Sequence, residues 1–235
     1  MVNPILVALD TGDIRAARAL ASRLIGRVGG FKVGLELIMS EGPTAVTQIA
    51  ELGAPVFADV KLHDIPNTVR KAAYELARHR ARWVTIHASG GSDMVSAAVT
   101  GLREGSSGHE AGILAVTVLT SLDEDDLAAT GISRSVDAQV RELSLLALRN
   151  GAEGVVCSPN EALIVKHASD QLLVVTPGIR MSSGSRQDQK RVTTPSSALS
   201  NGADLLVIGR AITEADDPER AVDEIVASLQ SENSI

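Results

Sequence analysis

A chain of 235 residues that is 44% hydrophobic can bury a sizeable core in one large α/β domain, yet it is only 2% aromatic, so Val, Ile, Leu and Ala must do the packing. A net charge of −7 and the scarcity of stacking rings argue against a nucleic-acid partner, although a small anionic substrate stays open if a local positive pocket receives it. The single cysteine, Cys157, excludes an internal disulfide, and the absence of a basic leader or a membrane-length apolar run points to a cytoplasmic protein with no membrane partner.

Eight β-rich apolar runs predict strands at 5–9, 31–35, 56–60, 83–87, 113–119, 154–157, 172–176 and 205–208. They are continuous rather than alternating, as expected when both faces of a parallel sheet are covered. Amphipathic stretches at 13–24, 44–52, 68–80 and 136–149 lie between them, and 218–229 closes the chain as a final helix. Gly53, Gly151 and Gly202 stand where helices should end. Eight β-then-α units predict a (β/α)8 TIM barrel, one domain over residues 1–235. The structural rival is a doubly wound open sheet. Asp10, Lys32, Asp59, Lys61, His87, Thr120, Ser158, Arg180 and Arg210 fall in or just after predicted strands. In a barrel such positions converge on one mouth, whereas an open sheet spreads them along an edge.

The most informative stretch is 57–69, which begins as a buried strand and ends in the first turn of a helix, with Pro66 where a missing N–H does no harm. Asp59, Lys61 and Asp64 interrupt its apolar pattern. In an extended strand Asp59 and Lys61 share a face, roughly 6.6 Å apart. Lys32 interrupts the second strand, and Asp59 on the neighbouring strand is its expected partner. Buried charges of this kind need partners. An array of Lys32, Asp59, Lys61 and Asp64 alternates in sign and suits chemistry, with a structural ion-pair network as the alternative.

The segments Thr176-Pro177-Gly178-Ile179-Arg180 and Gly209-Arg210 end strands seven and eight, where barrels frequently bind phosphate through backbone N–H groups. An arginine adds a two-pronged clamp. Asp10 fits either a helix cap or a contact to substrate hydroxyls. His87 is read as packing or a supporting contact rather than a metal ligand, since no second histidine stands at ligand spacing. His63, His79, His109 and His167 are read as surface or loop residues, and Cys157 as a small buried hydrophobe. The acidic run 123–126 reads as a solvated helix start, and the polar stretch 180–191 as a candidate lid.

Together these residues resemble the orotidine 5′-monophosphate decarboxylase family over essentially the whole chain. The most specific part is Asp59-Val60-Lys61-Leu62-His63-Asp64-Ile65-Pro66-Asn67-Thr68. Its Asp-x-Lys-x-x-Asp core is shared with hexulose-phosphate synthases and ketogulonate-phosphate decarboxylases, while the Ile-Pro-Asn-Thr continuation is similar to the orotidylate enzymes. The resemblance implies decarboxylation of orotidine 5′-monophosphate to uridine 5′-monophosphate in pyrimidine biosynthesis, with no cofactor and no metal. It implies Lys61 as proton donor, with Lys32, Asp59 and Asp64 completing its charged array. It also implies a homodimer whose sites are shared, with Asp64, Ile65 and Thr68 crossing to the partner. Asp10 would meet the ribose and Thr120 the pyrimidine, while Pro177, Arg180, Gln189, Gly209 and Arg210 would serve the phosphate end. The alternatives are a Mg2+-dependent phosphosugar lyase or synthase of the same barrel group and a non-catalytic phosphate-binding barrel.

Overall fold

The computed structural model describes residues 3–179 and 193–232. Eight strands run parallel in chain order: β1 (Ile5–Ala8), β2 (Gly30–Gly34), β3 (Val56–Leu62), β4 (Trp83–His87), β5 (Gly112–Val116), β6 (Gly154–Val156), β7 (Leu173–Thr176) and β8 (Leu205–Ile208). Pairing of β8 with β1 closes the sheet into a TIM barrel, so no open edge remains. The helices are α1 (Ile14–Leu24), α2 (Leu35–Glu41), α3 (Thr44–Ala50), α4 (Pro66–Arg78), α5 (Ser92–Gly105), α6 (Glu124–Ala129), α7 (Val136–Arg149), α8 (Ala162–Ala168), α9 (Pro195–Ser200), α10 (Arg210–Thr213) and α11 (Pro218–Glu232). Among the described residues no helix is long and apolar enough to cross a membrane.

The two-residue period of a strand explains the continuous apolar runs. Leu6 and Ala8 point into the barrel with Phe57, Trp83, Leu114, Val175, Leu205 and Val207, whereas Ile5, Val7 and Leu9 point outward into the layer shared with the helices. Fully buried Phe31 and Phe57 each contribute roughly 1.5–3 kcal/mol through removal of apolar surface from water. At the N-terminal end of the barrel Glu153 receives the Arg82 guanidinium at 2.8 and 2.7 Å and the Trp83 indole N–H at 3.0 Å. Burial alone would raise the Glu153 carboxyl, but these hydrogen bonds outweigh it and hold the group below its ordinary value.

Local signals set the helix ends. Asp13 caps α1 by accepting from the Arg15 N–H at 2.8 Å, and Ala17, Ala21 and Leu24 form the buried stripe of that helix. The acidic run is a helix start, as the sequence predicts: Asp123 and Asp126 form a reciprocal capping box at α6. Gly53, Gly151 and Gly202 follow helices with φ of 95°, 82° and 92°, the left-handed conformation expected there. Helices α4 and α5 touch backbone to backbone at Gly101 and Gly105. A Cβ on these residues would lie 2.0 Å from the Arg70 carbonyl oxygen and 2.2 Å from that of Tyr74.

The structure departs from the sequence reading in detail. Strand β3 runs past its apolar run 56–60 to Leu62, the extension that Asp59 and Lys61 need to lie on one strand, whereas β5 stops at Val116 short of the predicted 119. Thr117 still donates its N–H to the Val156 carbonyl of β6 at 3.1 Å, and Val118 and Leu119 beyond it become wall of a cavity instead.

Candidate active site

The C-terminal strand ends surround a cavity of about 270 Å³ whose lining divides into two arcs. Going round the barrel from β7 to β3, Pro177, Gly209, Arg210, Asp10, Lys32, Asp59 and Lys61 supply a largely polar arc. From β5 and β6 come Val116, Val118, Leu119, Val156 and Cys157, an apolar arc with Thr120 beside it. The cavity can therefore take a molecule with one charged or polar side and one apolar side.

The charges of the polar arc alternate. Lys32 Nζ lies 2.8 Å from Asp10 Oδ1 and 3.8 Å from Asp59 Oδ2, and Lys61 Nζ donates to both Asp59 oxygens at 2.8 Å. The nearer partner of Lys32 is thus Asp10, where the sequence pointed to Asp59. Register explains this: Ala8 pairs with Lys32 and Gly34 with Asp59, so the Lys32 ammonium stands between the ends of β1 and β3. Gly34 leaves space for the pair, since a Cβ there would meet Lys32 Nζ at 2.8 Å. Asp10 caps no helix, because α1 uses Asp13.

Lys61 sits in a distorted part of β3. Its φ is 49°, and the β3–β4 register shifts between Ala58 and Leu62. A non-glycine residue in the left-handed region costs about 1–3 kcal/mol, so its surroundings must hold it there. The Lys61 N–H donates to Thr85 Oγ1 at 2.9 Å, and the Thr85 hydroxyl donates to Asp59 Oδ1 at 2.9 Å. Thr85 is fully buried, and sequence reasoning missed it. Its only signal is a hydroxyl within the apolar run of β4.

Beyond Lys61, the half-buried His87 ring lies 5.4 Å from that of His63. Burial lowers the His87 pKa, with the His63 and Lys61 charges acting the same way and Asp59 opposing. Asp64 is exposed, and its carboxylate accepts from the Ile65 N–H at 2.6 Å. Ile65 and Thr68 are exposed as well, and none of these three lines the cavity of its own chain. Within one chain the alternating array is Asp10–Lys32–Asp59–Lys61, with Asp10 as its fourth member rather than Asp64.

Thr120, Pro177, Gly209 and Arg210 line the cavity as the sequence suggests, whereas Arg180, Gln189 and the candidate lid lie outside the described residues. Cys157 is buried and forms part of the apolar wall. Among the described residues no three His, Cys, Asp or Glu side chains come together as a metal-ligand set.

The chain is similar to known proteins along nearly its whole length. A relative from Paramagnetospirillum magneticum named orotidine 5′-phosphate decarboxylase is 46% identical over 233 residues, covering 97% of this chain and 99% of that one. One of the same name from Moorella thermoacetica is also 46% identical, over 97% of this chain and 92% of its own. The crystal structure of orotidine 5′-phosphate decarboxylase from Lactobacillus acidophilus superimposes with a TM-score of 0.85 at 36% identity, covering 97% of this chain and 99% of that one. Residues 3–225, which carry every strand of the barrel and every described residue of the charged arc, match the family's sequence model, and the chain belongs to the orotidine 5′-phosphate decarboxylase / HUMPS family.

Proposed function

We propose that this chain is a carboxy-lyase that converts orotidine 5′-monophosphate to uridine 5′-monophosphate in pyrimidine biosynthesis, without a cofactor, as a cytoplasmic homodimer. The observation that carries the reading is the Lys61 ammonium, held on both Asp59 oxygens at 2.8 Å at the edge of a cavity whose far polar end is Gly209 and Arg210. In this reading Arg210, Gly209 and Pro177 take the phosphate, with Arg180 and Gln189 from the lid. Asp10 takes the ribose hydroxyls, and Thr120 with the apolar arc receives the pyrimidine.

Heterolysis of the C6–carboxylate bond releases CO2 and leaves its electron pair at C6, in an orbital orthogonal to the ring π-system. The ring cannot delocalise that pair, so a fixed cation must meet it. The Lys61 ammonium stabilises the developing carbanion and then gives it a proton, which solvent later restores to the amine. Asp59 and Lys32 keep the ammonium oriented beforehand, so little reorganisation is needed as charge develops. Asp64, Ile65 and Thr68 act in the partner's site. Their exposure supports this, as do Leu35 (44% exposed), Met39 (76%) and Ile65 (66%), apolar side chains left open beyond the ends of β2 and β3.

The test is the ultraviolet absorbance change on loss of orotidine 5′-monophosphate, with and without a metal chelator. Chelator-insensitive turnover is expected. Turnover that the chelator abolishes and Mg2+ restores would favour the phosphosugar branch of the barrel group, and no turnover would overturn the reading.

A further inference from the structure

The catalytic array proposed above depends on Lys61 and Asp59 holding one arrangement, and the backbone that carries them does not hold it by itself. β3 breaks its register with β4 between Ala58 and Leu62, so the Lys61 N–H has a side-chain partner in place of a strand carbonyl. That partner is the hydroxyl of Thr85. One oxygen accepts from the Lys61 N–H at 2.9 Å and donates to Asp59 Oδ1 at 2.9 Å, and the residue is 0% exposed.

We infer that Thr85 is a positioning residue of the decarboxylase site: its hydroxyl locks the left-handed Lys61 backbone and the Asp59 carboxylate to each other, and so sets where the Lys61 ammonium points. The inference rests on the proposed function but concerns a residue that neither lines the cavity nor reaches the substrate. Three features carry it. The hydroxyl bridges the main chain of one member of the ion pair and the side chain of the other. It does so from β4, a different strand, so the constraint is tertiary and cannot be replaced locally. And it satisfies a hydroxyl donor and a backbone donor together, so a residue of the same shape without oxygen takes from the part-buried Lys61 N–H the partner it has here. Serine keeps the bridge, while valine keeps only the volume.

The experiment compares Thr85→Val, Thr85→Ala and Thr85→Ser with the wild-type chain in kcat, KM, affinity for uridine 5′-monophosphate, and hydrogen exchange at the Lys61 amide. A small displacement of reacting groups reduces rates on the order of 100-fold. Thr85→Val and Thr85→Ala should therefore lower kcat roughly 10- to 100-fold, with KM and product affinity changed less than about threefold. Their Lys61 amide should exchange faster. Thr85→Ser should stay within about fivefold of wild-type kcat and keep the amide protected. Wild-type kcat in a folded Thr85→Val or Thr85→Ala protein overturns the inference, as does a Thr85→Ser protein as slow as either. If Thr85→Val and Thr85→Ala both fail to fold while Thr85→Ser folds, the hydroxyl belongs to the fold rather than the site, and the inference is again overturned. An inactive wild-type chain would instead overturn the proposed function, and the exchange measurement would still report whether Thr85 holds Lys61.

Discussion

Replacing Asp59 by Asn removes one charge, keeps the side-chain shape, and leaves two ammoniums facing each other. Both are close to the same oxygen, Lys61 Nζ at 2.8 Å and Lys32 Nζ at 3.8 Å from Asp59 Oδ2, so the two distances laid end to end put the nitrogens at most about 6.6 Å apart. At an effective dielectric near 20 their repulsion is then at least about 2.5 kcal/mol. The side chains of Lys32 and Lys61 are 11% and 31% exposed, so solvent screens their repulsion only in part. That repulsion exists in the wild type too, where Asp59 offsets it by attracting both ammoniums. Asp59→Asn removes the offset, and losing one partner of a buried ion pair should lower the unfolding free energy by about 3–5 kcal/mol. Adding Lys32→Met should recover about 1.5–2.5 kcal/mol of this loss, because it removes the repulsion of about 2.5 kcal/mol between the ammoniums and gives up the half-exposed Lys32–Asp10 pair, about 0–1 kcal/mol. The Asp10 that it leaves behind is 54% exposed and can be solvated. Urea titration followed by the fluorescence of Trp83, the single tryptophan, measures both variants. An Asp59→Asn protein as stable as wild type, or a double variant no more stable than the single one, would refute the electrostatic account of the array.

Three further outcomes are expected. Lys61→Ala should fold and bind uridine 5′-monophosphate yet lose most turnover; mixed with inactive Asp64→Asn chains under confirmed subunit exchange it should regain activity, whereas activity that stays at the level of the parents would place Asp64 in its own chain's site. Arg210→Ala should reduce kcat/KM for orotidine 5′-monophosphate by about 2–5 kcal/mol of transition-state stabilisation and barely alter the slow decarboxylation of orotidine, which lacks the phosphate; equal losses on both substrates would remove Arg210 from the phosphate. His87 has a folded pKa below its unfolded value, so the unfolded chain takes up its proton first as pH falls. Its contribution is present above the unfolded pKa of about 6.5 and is lost as pH falls toward the folded value, so urea midpoints of His87→Gln measured at pH 7.5 and about pH 5.5 should differ less than those of wild type.

The barrel was legible because burial on both faces writes each strand as an uninterrupted apolar run, and charges that break such runs have few places to go except the mouth. Lys32, Asp59 and Lys61 were found for that reason. Register is what the pattern lacks. That Asp10 rather than Asp59 is nearest to Lys32 depends on Ala8 pairing with Lys32 across β1 and β2, a tertiary fact with no local trace. Thr85 was passed over because threonine is at home in strands, and its role appears only where the β3–β4 register shifts. The short helices α2, α8, α9 and α10, of four to seven residues, carry too few turns for a periodic signal.

The backbone contact of α5 with α4 at Gly101 and Gly105 has a consequence for how the molecule opens. Two helices with carbonyl oxygens where side chains would otherwise stand cannot separate by rotating a few rotamers; they part only by giving up the whole interface at once. Strand β4 lies between them in the chain, so α4, β4 and α5 are expected to open as one cooperative unit, which amide exchange would report as a shared opening rather than fraying one by one. That unit starts at Pro66, next to Ile65, and carries both Thr85 and His87. Any fluctuation large enough to release the Lys61 backbone through β4 is therefore linked to the rarest openings of the fold rather than to its commonest ones.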